Sequence, residues 1–217
     1  MLPDAVIFDM DGVIVDTADA HCASWQMLAA ERGMTISRHD FLQTFGRPTR
    51  EIIRTRFGEH LTDEQVGQME RRKEAHFREL ARDHVKLIPH VVELIDTLIA
   101  AGVALAVGSS APPANVQLTL AQFDLNGRFR TLVTGHDVTR GKPDPEVFLI
   151  AAERLGVSPS RCVVIEDAMA GIQAARAAGM TAIALTTSHE RSAFPDAHRV
   201  VDSLAELQPE DLLAGEA

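Results

Sequence analysis

Five short apolar runs punctuate the chain: Ala5–Phe8, Ala104–Val107, Thr131–Val133, Cys162–Ile165 and Thr181–Leu185. Each is continuous rather than alternating and closes on polar or glycine-containing sequence, as expected of strands covered by helices on both faces. Helix-period patterns lie between them. Val91–Ala101 stops at Gly102, and Ala114–Gln122 follows the second run. Pro145–Leu155 carries a proline in its first turn and stops at Gly156, and Ala168–Ala178 stops at Gly179. This alternation from Leu87 to Leu185 predicts right-handed crossovers and a doubly wound, mostly parallel α/β sheet.

The interval from Ala18 to Lys86 has a different period. It lacks strand-like runs and places Trp25, Leu28 and Ala29, then Ile52, Ile53 and Phe57, then Val66, Met69, Phe77 and Leu80 at helical spacing. Residues 63–83 are charge-dense, as a solvated helix face is. An all-helical domain over 18–86 is therefore expected as an insert in an α/β core made of 1–17 and 87–217. Its two connections, Asp16–Ala18 and Val85–Pro89, are expected to act as a hinge.

Composition narrows the partners. With 217 residues, 46% of them hydrophobic, the chain can bury one sizeable core plus a small second lobe. A formal net charge of −10 argues against nucleic acid or an anionic membrane as partner. Cys22 and Cys162 fall in a helical and a strand pattern, which predicts two buried thiols rather than a disulfide. No window approaches the ~18 apolar residues of a membrane span. A cytoplasmic, monomeric protein acting on a small molecule is expected.

Ligands of open α/β sheets bind beyond the carboxyl ends of the strands. The first strand ends in Phe8-Asp9-Met10-Asp11-Gly12, the second in Gly108-Ser109-Ser110 and the fourth in Glu166-Asp167, while a loop after the third holds Gly141-Lys142-Pro143. Four carboxylates, a hydroxyl and a lysine are thus predicted to meet at one edge. Two carboxylates ~4 Å apart repel by roughly 4 kcal/mol at an effective dielectric near 20, so such a cluster needs a counter-charge. An oxygen-only donor set selects a hard divalent cation, Mg2+ above all. Asp9 and Asp167 are the expected carboxylate ligands, with Glu166 ligating directly or through water and Asp11 contributing its carbonyl.

Roles follow from that arrangement. Asp9 and Asp11 alternate about Met10, so one carboxylate can attack phosphorus while the other handles protons. Ser109 and Lys142 are expected to bind the transferring phosphoryl oxygens. Ser110 and the backbone of the turn at Gly12 are further phosphate-binding positions.

Taken in order, Asp9-Met10-Asp11-Gly12-Val13, Ser109, Gly141-Lys142-Pro143 and Glu166-Asp167 resemble the four motifs of the haloacid dehalogenase superfamily. The resemblance covers essentially the whole chain. It implies a Rossmann-like core, Mg2+ and an aspartyl phosphate, with the helical insert as a cap. Within the superfamily the chain is similar to β-phosphoglucomutase and its sugar-phosphatase relatives. Asp16-Thr17-Ala18-Asp19-Ala20-His21 and Trp25 resemble their hinge and first cap helix. Lys73, in Arg71-Arg72-Lys73-Glu74, resembles a cap lysine that approaches the site, and Arg50 one that grips a substrate phosphate. The same side chains also suit blander places. His21 or Arg50 (or its neighbour Arg47) would serve on a helix surface, and Lys73 on a solvated basic face.

The chain departs from the mutase pattern at Ser109-Ser110-Ala111-Pro112-Pro113-Ala114, where alanine and two prolines supply neither cation nor side-chain donor for a second phosphate. The loop Gly46-Arg47-Pro48-Thr49-Arg50 is also one residue longer than in that pattern. Hydrolysis of small phosphorylated metabolites, sugar phosphates in particular, is therefore expected ahead of a β-phosphoglucomutase-type isomerisation. A phospho-accepting receiver module, a switch without turnover, also gathers aspartates, a hydroxyl and a lysine, but has no place for the insert. Haloacid dehalogenation itself needs neither Asp11 nor Glu166-Asp167.

Overall fold

The computed structural model describes residues 2–44 and 49–213. The chain divides into two compact units, Met1–Asp16 with Lys86–Ala217, and Thr17–Val85.

In the first unit β1 (Ala5–Phe8) leads into the short β2 (Val15–Asp16). The second unit runs through α1 (Ala18–Ala30), α2 (Arg38–Leu42), α3 (Thr49–Phe57) and α4 (Asp63–His84). The first unit then resumes with β3 (Lys86–Leu87), α5 (Val91–Ala100), β4 (Ala104–Gly108), α6 (Pro113–Gln122), β5 (Thr131–Val133) and α7 (Glu146–Leu155). It closes with β6 (Cys162–Glu166), α8 (Met169–Ala177), β7 (Thr181–Leu185) and β8 (Arg199–Val201).

Six strands form a wholly parallel sheet in the order β5-β4-β1-β6-β7-β8. The chain winds outward from β1 through β4 to β5, then returns to β6 on the other side of β1. Strand order therefore reverses between β1 and β6, and a crevice opens beyond their carboxyl ends. The continuous apolarity of the strands has its cause in this layering. Ala5 and Ile7 of β1, Ala104 and Ala106 of β4, Cys162 and Val164 of β6 and Ala182 and Ala184 of β7 face one core with Val147, Phe148 and Ala151 of α7 and Ile172 and Ala175 of α8. The alternate residues Val6, Phe8, Val107, Val163 and Ile165 are equally buried. The alanines on the first face let α7 and α8 lie close to the sheet.

All five predicted runs are strands, β4 and β6 extending one residue further, to Gly108 and Glu166. Three strands escaped prediction. The two-residue β2 and β3 pair antiparallel, with Asp16 opposite Lys86 and Val15 opposite Leu87. They are too short to show a period. The third, β8, reads Arg-Val-Val at the sheet edge, where its first two residues are only half-buried. Both cysteines are buried free thiols. Among the described residues no helix is long and apolar enough to cross a membrane.

The helical unit has its own core of Cys22, Trp25, Leu28, Phe41, Ile52, Ile53, Val66 and Met69. Its helices α2 and α4 begin with reciprocal caps, Ser37 with Asp40 and Thr62 with Gln65. Glu31, just past α1, ties to α4 through Arg72 at 2.6 Å and His76 at 2.9 Å.

The loop after β5 is pinned by Asp137. Its carboxylate accepts from the Thr134 amide at 2.8 Å and the Thr134 hydroxyl at 2.7 Å, and pairs with Arg154 of α7 at 2.6 Å. The Arg154 guanidinium, with the Thr134 donors, holds the Asp137 carboxyl down to a pKa of about 2 from 3.8. A carboxylate whose folded pKa is depressed adds stability above its unfolded pKa and loses it as pH falls toward the folded value. Allowing for the partial exposure of Arg154, Asp137→Asn is expected to lower the unfolding free energy by about 1–2 kcal/mol at neutral pH. The deficit should close between about pH 4 and about pH 2. Urea unfolding across that range checks it, and a pH-independent deficit would show that the ion pair is not its source.

Candidate active site

Parallel register sets the site. Phe8 lies opposite Val107 on β4 and Ile165 on β6, so Asp9 is level with Gly108 and Glu166. The Asp9 amide donates to the Ile165 carbonyl at 3.0 Å, carrying the ladder one residue past β1. Asp9, Glu166 and Asp167 are all buried, and each offers a carboxylate oxygen within 4.8 Å of the others. Among the described residues they are the acid, histidine and cysteine group so gathered. Lys142 reaches the same place, its Nζ 2.5 Å from Asp9 Oδ1 and 2.7 Å from Glu166 Oε1, and lies 4.9 Å from the centre of the Phe148 ring. The other Glu166 oxygen accepts from the Ala168 amide at 2.6 Å.

Three carboxylates against one ammonium leave a formal excess of two negative charges. That imbalance acts on the acids themselves. Burial, reinforced by Glu166 and Asp11 and only partly opposed by Lys142, pushes Asp9 up to about 7. Burial, with Glu166 and Asp9 adding to it, also raises Asp167 well above the usual carboxylate range. Burial works against the Lys142 ammonium, but Asp9 and Glu166 outweigh it and lift its pKa above the ordinary value. Oxygen-only donors, buried and two charges in excess, fit a hard divalent cation.

Two glycines make the crowding feasible. A Cβ on Gly12, which sits at φ +78°, would lie 1.9 Å from Asp167 Oδ2. A Cβ on Gly171, in the first turn of α8, would lie 1.8 Å from Glu166 Oε1. Gly12 thus gives Asp167 its clearance. The Gly12 N–H donates to the Val15 carbonyl at 2.7 Å, and the amides of Val13, Ile14 and Val15 all turn back to the Met10 carbonyl.

The remaining candidates of this unit fall close by. Asp11 is half-buried, bridges to Val15, and is near enough to Asp9 to raise it, although its carboxylate is not in the three-acid group. Ser109 is buried at the end of β4, where its hydroxyl oxygen accepts from the Ala111 amide at 3.1 Å. Its proton is left to donate. Ser110 is exposed, and its carbonyl packs where only a glycine, Gly135, can lie against it.

In the helical unit Lys73 is 2% exposed, so the solvated-face alternative is set aside. Residues advance by about 100° along a helix, and within the run Arg71-Arg72-Lys73 that rotation turns one cation inward. Its Nζ meets His21 Nδ1 at 2.8 Å and Glu74 Oε1 at 2.9 Å, 5.6 Å from the Trp25 and Phe77 rings. An ammonium only donates, so His21 Nδ1 accepts and its proton sits on Nε2. His21 stacks on Phe77 with ring centres 4.2 Å apart. Arg50 is not brought to this group. It faces Glu70 at 3.2 Å and Asp63 at 3.3 Å on an exposed face. The neighbouring Gly46-Arg47-Pro48 lies outside the described residues.

Two site-adjacent residues were not anticipated. In the loop after β7 the Thr187 hydroxyl donates to the Gly12 carbonyl at 2.5 Å, and the Ser188 hydroxyl donates to Asp167 Oδ2. The signal was present, since Thr186-Thr187-Ser188 is a run of hydroxyls at the carboxyl end of the fifth predicted strand.

Comparison with known proteins agrees with this geometry. Residues 6–185 match the family described as haloacid dehalogenase-like hydrolase. The fructose-1-phosphate phosphatase YqaB of Escherichia coli is 34% identical over 178 residues, 82% of this chain and 94% of that protein. A phosphorylated carbohydrates phosphatase of Thermotoga maritima is 31% identical over 83% of each chain. The crystal structure of β-phosphoglucomutase from Clostridium difficile superposes with a TM-score of 0.87 at 26% identity, covering 99% of this chain and 97% of that one. Since the matched span takes in Asp9, Asp167 and the helical unit between them, the chain belongs to the haloacid dehalogenase-like hydrolases.

Proposed function

We propose that the chain is a Mg2+-dependent phosphatase of small phosphorylated metabolites, sugar phosphates foremost, which forms an aspartyl phosphate on Asp9. The observation that carries this is the buried carboxylate of Asp9, held by Lys142 beside Glu166 and Asp167 at the point where the strand order reverses. The names of the two relatives, both carbohydrate-type phosphatases, support the substrate class.

Asp9 attacks phosphorus, an Asp9 O–P bond forms, and the P–O bond to the metabolite breaks. Asp11, half-buried two residues beyond Asp9, gives its proton to the departing oxygen. Asp11 then takes a proton from water as that water attacks the phosphoryl group, which releases inorganic phosphate and restores Asp9. An ammonium has three N–H donors and Lys142 directs two of them to Asp9 and Glu166, so the third is available to a phosphoryl oxygen, alongside the Ser109 hydroxyl. Mg2+, held by Asp9 and Asp167 with Glu166 beside them, would supply positive charge against the phosphoryl oxygens. In the helical unit Lys73 is fixed by His21 and Glu74 against Trp25.

Those same cap residues and the β-phosphoglucomutase likeness favour the second reading, a mutase. Hydrolysis is preferred because α6 opens with Pro112 as its N-cap and Pro113 behind it, without a side-chain cap or donor for a second phosphate.

Phosphate release from a panel of sugar monophosphates with Mg2+ is expected, and Asp9→Asn should reduce it by at least about a thousandfold, the scale of losing a nucleophile. No release above the Asp9→Asn background on any member refutes the phosphatase. Faster conversion of β-glucose 1-phosphate to glucose 6-phosphate in the same preparation establishes the mutase instead.

Cation binding should depend on pH in a definite direction. With Asp9 near 7 in the cation-free protein, a cation below that pH must displace a proton. Asp167 is raised as well, so affinity is expected to rise by about tenfold per pH unit or more toward pH 7. Calorimetry in two buffers of different ionisation heat should count at least about one proton released per cation at pH 6. Proton-free binding at pH 6 would contradict the assignment.

A further inference from the structure

The loop after β7 has no part in the chemistry described so far, yet it is joined both to Asp167 and to the turn that follows Asp9. Ser188 donates to Asp167 Oδ2, and Thr187 donates to the carbonyl of Gly12, three residues beyond Asp9. The Ser188 hydroxyl also lies 3.1 Å from where a Gly12 Cβ would stand, so the three loops after β1, β6 and β7 interlock at that point. Thr186 fixes the start of the loop, its hydroxyl donating to Asp202 at 2.7 Å. Arg191 fixes its end, pairing with the same Asp202 at 2.9 Å. Between these anchors the loop borders an open hollow of about 430 Å³.

We propose that Ser188 and Thr187 are positioning residues for the cation site, Ser188 orienting the Asp167 carboxylate and Thr187 locking the Gly12 turn against it. The proposal rests on the reading of Asp9, Glu166 and Asp167 as a cation site. A carboxylate on a short side chain can rotate about its terminal bond, and a hydroxyl bound to one oxygen fixes which way the other is presented. Outer hydrogen bonds of this kind are worth about 10–100-fold in metal affinity. Thr187 acts one step further back. By tying down the Gly12 carbonyl it keeps the glycine, and the space it leaves, against Asp167. Neither residue touches the reacting atoms: Ser188 acts through Asp167, and Thr187 through the Gly12 turn.

The test is direct Mn2+ binding, followed by the paramagnetic resonance of free Mn2+ without substrate. It is run on the wild-type chain and on Ser188→Ala, Ser188→Thr, Thr187→Val and Asp167→Asn. Ser188→Ala is expected to weaken binding by about tenfold or more, and Ser188→Thr, which keeps the hydroxyl, to stay within about threefold of wild type. Thr187→Val should give an intermediate loss. Melting temperatures without cation should agree across the serine variants, which separates positioning from a folding defect. Equal Mn2+ affinity in Ser188→Ala and wild type overturns the proposal while leaving the cation site intact. Absence of Mn2+ binding in wild type, or binding unaffected by Asp167→Asn, overturns the cation-site reading itself. Equal weakening in Ser188→Ala and Ser188→Thr also overturns the proposal, since bulk and not the hydroxyl would then be at work.

Discussion

The structure depends on one ammonium group. Lys142 Nζ lies between Asp9 and Glu166, with Asp167 beside them, at the largely buried carboxyl edge of the sheet. Burying one charge is costly, and burying three like charges within a few ångströms would be prohibitive if nothing opposed it. Lys142 removes part of that repulsion, and the Ala168 amide and Ser188 hydroxyl hold further oxygens. What remains is a deficit of positive charge. That deficit is the destabilising feature of the site, and a bound divalent cation would relieve it.

The rest of the fold sets up that juxtaposition. Asp9 and Glu166 are far apart in sequence but level in the ladder, because β1 and β6 are neighbours and run parallel. The parallel sheet brings their carboxyl ends to the same edge, and the reversal of winding between them leaves that edge open. Lys142 arrives on the loop between β5 and α7, anchored near its start by Asp137 and Arg154. Small residues complete the fit, since Gly12 and Gly171 yield the space that Asp167 and Glu166 occupy.

Much of this was legible in the sequence. Buried parallel strands are continuous apolar runs, so Ala5–Phe8 and Thr181–Leu185 were readable to the residue, and asking what stands at their ends found Asp9, Ser109, Lys142, Glu166 and Asp167. What was not legible depends on distances across space. Gly12 looked like a donor because its turn invites N–H groups outward, yet Val15 already takes that N–H. The ion pairs of Arg50 were hidden because Asp63 and Glu70, which face it, are 13 and 20 residues away. Lys73 was ambiguous because only the rotation of α4 decides which cation of a basic run turns inward. The strands β2 and β3 are each two residues long and become visible only as a pair.

That pair has a wider meaning. The chain departs from the sheet unit at Asp16 and comes back at Lys86, and these two residues face each other across one antiparallel rung. Departure and return are therefore only about 5 Å apart, the width between neighbouring strands. Whatever occupies the intervening stretch can be lengthened, shortened or exchanged without asking the catalytic scaffold to rearrange its own connections.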